Sequence, residues 1–435
     1  MAAPTPDHGD AASEQPPGAR ATRVLMLTGK GGVGKSTIAA GTAALAASTG
    51  RRTLVLSTDA AHSLGEAFGR PVGPEPTQVA PDLFVQQVDV QRRFEQSWAE
   101  IQAYLASVLD VAGLDRVVAE ELTVLPGAEE VLALLELRRH VVGGAWDAVV
   151  VDCAPTAETL RLLALPASLG WYLERLLPLE HRVARALRPV LARTSGVPVP
   201  GADVLRAVQR LHADLAAVHD LLTGPDAAVR LVLTPEHVVL AEARRSWTGL
   251  ALHGYRVDGV VVNRVFPAAG ADLWRAGWVA AQAEVLAEVE QSFDGLPVWR
   301  CAYEPGEPVG TRALRALAAA AYDGADPLGP RDERRSAPFA VHRTDAGADL
   351  RLALPLATRG EVDLARSGDD LVVTVGPVRR LLALPAALSR LVVVGARVED
   401  GALRVRFAEP GPAHAPDPAR APGAARVRPT QEAAR

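Results

Sequence analysis

The chain is expected to fold as an α/β protein. A doubly wound, mostly parallel sheet with a helical insertion is followed by a small C-terminal all-β sandwich. Three observations predict this. Apolar runs of strand length alternate with stretches of helical composition from residue 23 to residue 322. A glycine-rich turn joins the first apolar run to the first helical stretch. Beyond residue 336 the apolar period becomes two.

Residues 1–20, rich in Ala, Pro, Gly and polar residues, read as a disordered tail. The first strand is expected at about Arg23–Thr28, and the helix after it ends near Gly50, a C-terminal stop. Arg52–Ser57 reads as a buried strand and Leu83–Val88 as a shorter one. Strand, helix and strand at this spacing imply a right-handed parallel crossover. Helical spacing follows from Arg92 to His140, interrupted at Pro126-Gly127, and again over 170–222, split by Pro178, Pro189 and the Ser195–Gly201 turn. These two stretches form the helical insertion.

Between them, Ala148–Asp152 is apolar until its carboxylate end, the pattern of a central parallel strand covered on both faces. Val229–Leu233, Gly259–Asn263 and Leu296–Arg300 supply further strands, and Thr311–Tyr322 the last helix. A Gly/Pro/Asp/Arg-rich break begins at Asp323. After it, Leu350, Leu352 and Leu354 alternate with Arg351 and Ala353, and Asp400-Gly401 marks a two-residue hairpin. The expected division is an α/β domain over 21–325, a linker over 326–336, a β domain over 337–408 and a Pro/Ala/Arg-rich disordered tail over 409–435.

The composition narrows the function classes. The 435 residues are 49% hydrophobic and 22% charged, enough for a large core. A net charge of −5 without a long Lys/Arg block argues against a nucleic-acid partner. Residues 1–20 lack the apolar core of a signal peptide, and no uncharged run reaches transmembrane length, so a cytoplasmic protein is expected. Cys153 and Cys301 cannot build a four-thiolate zinc site within one chain; small buried hydrophobes are the expected account of both.

Gly29-Lys30-Gly31-Gly32-Val33-Gly34-Lys35-Ser36 fits G-x-x-x-x-G-K-[ST] at every fixed position, between a strand and a helix. Glycines allow successive N–H groups to turn inward around a phosphate, and the following helix adds the positive end of its dipole. Lys35 would neutralise the β and γ phosphates and the Ser36 hydroxyl would be a Mg²⁺ ligand. Of the 46 basic residues only Lys30 and Lys35 are lysines. A planar guanidinium cannot replace a compact ammonium in a tight anion nest. Asp59 and Asp152 stand where strands end, the edge at which open α/β sheets bind ligands. Asp152 is placed for the Mg²⁺ shell, and Asp59 to orient or deprotonate the attacking water.

The extra lysine of this loop, with Thr58-Asp59-Ala60-Ala61-His62-Ser63-Leu64 and Asp152-Cys153-Ala154-Pro155-Thr156-Ala157-Glu158-Thr159-Leu160-Arg161, resembles the deviant Walker A ATPases that drive arsenical pumps or target tail-anchored proteins. The likeness covers about residues 22–322. It implies ATP and Mg²⁺ as cofactors and a homodimer in which Lys30 reaches the partner's nucleotide. Lys35, Ser36 and Thr37, with the loop residues Gly29 to Gly34, would bind phosphates and metal. Asp59 would act on water and help hold Mg²⁺, Asn263 would contact adenine, and the segment around Pro305–Gly310 would close over the base. Ala60 and Glu158 depart from the family's usual proline and histidine. The zinc-binding C-x-x-C and the metalloid-binding thiol triad are absent. A hydrophobic protein client or a membrane partner is the alternative use of the hydrolysis cycle, although only Met1 and Met26 are available for an adaptable Met-rich groove. Gly376–Pro385 resembles the small-heat-shock-protein-like domain appended to bacterial members.

Overall fold

A computed structural model describes residues 21–58, 63–88, 128–154, 202–329, 339–344, 347–409 and 425–427. The expectations for residues 1–20, 92–127 and 170–201 lie outside this set. The apolar runs of the first domain join one eight-stranded sheet of order β3-β4-β2-β5-β1-β6-β7-β8. Its strands are β1 (Arg23–Thr28), β2 (Thr53–Ser57), β3 (Thr77–Ala80), β4 (Leu83–Gln87), β5 (Ala148–Asp152), β6 (Ala227–Leu233), β7 (Val257–Val265) and β8 (Val298–Ala302). Every neighbouring pair is parallel except β3 with β4. β1, β2, β5 and β6 are buried at every residue, as strands covered by helices on both faces must be.

The antiparallel edge strand β3 was not foreseen. Its residues are exposed or half-buried, so no apolar run announces it. β7 extends beyond the expected Gly259–Asn263 because its polar ends are structurally used. Asp258 pairs with a buried arginine, and Arg264 turns the chain with φ +59°. β8 starts later than expected: the turn at Gly295 (φ +80°) precedes it, and the Pro297 carbonyl accepts the Val260 amide.

Helices α1 (Lys35–Ser48), α2 (Ser63–Phe68), α3 (Ala128–Val142), α4 (Ala202–Thr223), α5 (His237–Leu252), α6 (Leu273–Ser292) and α7 (Thr311–Tyr322) accompany this sheet. α1 is alanine-rich and sits against α7. A Cβ on Gly41 would lie 2.8 Å from the Leu314 carbonyl oxygen, so glycine sets that close approach. Below the sheet, the fully buried Arg230 pairs with Asp258 (2.6 Å) and donates to Tyr322 Oη (3.0 Å) and the Pro327 carbonyl (2.5 Å). Burial works against its charge, but Asp258 and Tyr322 more than offset that and hold the guanidinium above its ordinary range. Residues 326–329, within the expected linker, pack on this side: Leu328 is buried and Asp326 forms a bidentate pair with Arg51.

The second domain holds two four-stranded antiparallel sheets. One runs β14 (Val392–Glu399), β15 (Ala402–Ala408), β10 (Gly347–Ala353), β9 (Phe339–Thr344). The other runs β13 (Val378–Ala383), β12 (Asp370–Val375), β11 (Val362–Ser367), β16 (Ala425–Val427). Asp400 (φ +50°) and Gly401 (φ +64°) make the hairpin turn, both with the positive φ that a type I′ turn needs. β16 falls inside the range 409–435 and pairs with β11. The β domain is seated on α5. Leu252 enters its apolar core, Thr248 Oγ1 donates to the Pro355 carbonyl (2.5 Å), and Arg380 donates to the Leu252 carbonyl.

Candidate nucleotide-binding site

The strand order reverses at β1, and the glycine-rich loop leaves its C-terminal end. That is the crevice where doubly wound sheets bind ligands. The loop's glycines are demanded by its surroundings. A Cβ on Gly29 would lie 2.0 Å from the Val232 carbonyl oxygen of β6. Gly32 and Gly34 have φ of +82° and +90°, and a Cβ on Gly34 would meet Asn263 Nδ2 at 2.4 Å. Val33 is buried and anchors the loop, while Gly31 and Gly32 are exposed. α1 starts at Lys35 with no side-chain cap, leaving its first amides for an anion.

Lys35 is 6% exposed, and its Nζ donates to the Lys30 carbonyl at 3.3 Å, so the ammonium is folded back over the loop. Lys30 is half-buried. Ser36 Oγ lies 2.8 Å from Ser63 Oγ at the start of α2, and Thr37 is half-buried on the first turn of α1. Asp152 ends β5 with a fully buried side chain, between Leu27 of β1 and Ser57 of β2. Its carbonyl accepts the Thr58 amide at 3.0 Å. Burial pushes the neighbouring Cys153 thiol up strongly, the Asp152 charge adds to this, and Lys35 opposes it. The ammonium, carboxylate and thiol therefore share one electrostatic neighbourhood.

Asn263 reaches the loop from β7: its Nδ2 donates to the Val33 carbonyl (2.9 Å) and its Oδ1 accepts the Arg264 amide (2.9 Å). Pro305 lies exposed in the segment before α7, whose last residue, Gly310, donates its amide to the Ala67 carbonyl of α2 (2.8 Å). Asp59 lies outside the described residues. Thus the structure gathers Lys30, Lys35, Ser36, Thr37, Asp152 and Asn263 at one sheet edge. Sequence reasoning passed over Ser63, although it stood inside the quoted Thr58–Leu64 stretch; its hydroxyl beside the loop was the available signal. The site offers hydroxyl and carboxylate oxygens, a donor set that suits Mg²⁺ better than a soft metal.

The comparisons with known proteins agree with this geometry. Residues 22–323 match the family of anion-transporting ATPases, and residues 345–407 match an HSP20-like domain found in ArsA. A protein of Streptomyces coelicolor without a functional name is 41% identical, over 89% of this chain and 97% of its own length. A Chlorobaculum tepidum protein with the provisional name of an arsenical pump-driving ATPase is 34% identical, over 88% of this chain and 96% of its own. An ATPase ASNA1 homolog of Trypanosoma cruzi is 28% identical, over 68% and 89%. Loop, sheet order and sequence likeness converge: the chain belongs to the anion-transporting ATPase family, an ATPase that also carries the family's HSP20-like domain.

Proposed function

We propose that the chain hydrolyses Mg²⁺-bound ATP in this loop and uses the cycle to open and close a homodimer. The observation that carries the reading is the loop itself. Two glycines hold positive φ, and the buried Lys35 is folded over the Lys30 carbonyl where a phosphate would compete for it. Lys35 and the amides of residues 29–37 would hold the phosphates. Asn263 and the segment around Pro305 would hold the base. Ser36 and Asp59 would hold the metal, with Asp152 in its outer shell, and the metal supplies charge neutralisation at the phosphates. Asp59 would orient the attacking water. Lys30, half-buried on an exposed loop, is suited to reach a partner's nucleotide.

The placement of the two cysteines argues against a metalloid thiol site within one chain. Cys153 and Cys301 are both buried, and β5 and β8 stand four places apart in the sheet, about 19 Å. Burial also pushes the Cys301 thiol up to about 11. Among the described residues no helix is long and apolar enough to cross a membrane.

Calorimetry with ATP and Mg²⁺, together with steady-state hydrolysis, tests the reading. Lys35→Arg is expected to weaken binding and lower turnover about a hundredfold or more. Lys30→Arg is expected to bind ATP as the parent does, lose turnover, and fail to dimerise productively in sedimentation. Full activity in Lys35→Arg overturns the assignment. A second reading is favoured by a specific surface: Trp274 and Trp278 on α6 and Tyr303 after β8 form an exposed aromatic patch around Phe266, and the adjacent Leu273 is 97% exposed. In that reading hydrolysis times the release of an apolar protein segment. Binding of an apolar helical peptide that Leu273→Ser and Trp274→Ser abolish would support it.

A further inference from the structure

We infer that Ser63 is a positioning residue that orients the Ser36 hydroxyl for the cation, and that α2 carries this contact to the segment closing over the base. The inference rests on the reading above, in which Ser36 is a Mg²⁺ ligand. A hydroxyl has one donor and two lone pairs. With Ser36 Oγ and Ser63 Oγ 2.8 Å apart, either can donate. A cation on Ser36 claims a lone pair and selects the arrangement in which Ser36 donates and Ser63 accepts. Ser63 thereby fixes the rotation of the ligand hydroxyl without touching the metal.

The other end of α2 is tied to the base side. The Ala67 carbonyl accepts the Gly310 amide at 2.8 Å, and a Cβ on Gly69 would lie 3.0 Å from Val309 Cγ1. Leu64 and Phe68 are buried between these ends, so the six-residue helix is pinned to the core and moves as a unit. Any shift that cation binding imposes on Ser63 is therefore felt at Gly310, where the exposed segment after β8 enters α7. Neither contact needs Asp59.

The test uses the full chain and ADP, which binds without turnover, with and without Mg²⁺. In the parent, calorimetry is expected to show Mg²⁺ tightening ADP. In Ser63→Ala the metal-free affinity stays within about twofold, while the tightening by Mg²⁺ falls by up to about tenfold, the worth of one hydrogen bond. Ser63→Thr restores it. Hydrogen exchange supplies the second readout: Mg²⁺ with ADP slows the Gly310 amide in the parent and in Ser63→Thr but not in Ser63→Ala. Equal tightening in the parent and Ser63→Ala overturns the role of Ser63 and leaves the ATPase reading intact. Equal protection of Gly310 overturns the link through α2. A parent that binds no ADP, or binds it indifferently to Mg²⁺, overturns the underlying reading instead.

Discussion

Gly34 and Lys35 are adjacent, and each is irreplaceable for a different reason. Gly34 has φ +90° and no room for a Cβ beside Asn263. Gly34→Ala is therefore expected to lower stability by about 1 kcal/mol or more and to weaken nucleotide binding, since the backbone must leave its conformation. Chemical unfolding and calorimetry on one sample would check both effects; a variant that binds as the parent does would remove the steric argument. His253 is a different case. It is 5% exposed, and burial, then Arg380, then His219 push its pKa down to about 4. The unfolded chain takes up a proton near pH 6.5 that the folded chain refuses. Stability is thus full above about pH 6.5 and is lost as pH falls toward 4, by up to about 3 kcal/mol. The unfolding midpoint should fall across that window, and less steeply in His253→Leu; identical slopes would exclude His253 as the cause.

At the scale of elements, α1 is held at its first turn and at its middle by contacts that local sequence does not announce. Ser36 meets α2 at its first turn. Midway, Thr42 Oγ1 meets Tyr322 Oη of α7 at 2.7 Å, and Tyr322 is also a partner of Arg230. One buried network therefore ties α1 to β6, β7 and residues 326–329. Arg230→Met is expected to cost about 3–5 kcal/mol, because Asp258 would keep a buried charge without its partner. Arg230→Met with Asp258→Leu should recover much of that loss. Urea melts of the two singles and the double form the cycle, and strict additivity would show that the pair does not act as a unit. α5 is the other shared element. It starts just after β6 at the ligand edge and ends with Leu252 inside the core of the β domain.

Viewed whole, the described residues form two cores joined through that helix. The β domain covers the C-terminal half of α5 and leaves a cleft of about 610 Å³ beside Arg244, Arg245 and Pro377. Arg380 crosses the boundary to the helix's last carbonyl, a cation on the negative end of the dipole. Burial lowers its pKa to about 10. Leu252→Asp is expected to place an unpaired charge in the β core and uncouple the halves, so that scanning calorimetry resolves two transitions. A single transition at the parent's temperature would mean that the domains do not melt through this contact.

Much of this was legible in the chain itself because it is local. A strand, a glycine turn and a helix are contiguous, so Gly29–Thr37 announces the loop, and an apolar run such as Ala148–Asp152 reports its own burial. Alternation over Leu350–Leu354 and Asp400-Gly401 did the same for the β domain. What the chain could not announce depends on residues far apart in sequence. Gly29 is glycine because of Val232, and Gly34 because of Asn263. Ser63 matters because α2 brings it to Ser36, β3 exists because β4 offers an edge, and Leu252 is buried because another domain lies on it. Periodicity and turn chemistry are written into neighbouring residues; close approach between distant backbones is decided only when the sheet assembles and the second core closes over α5.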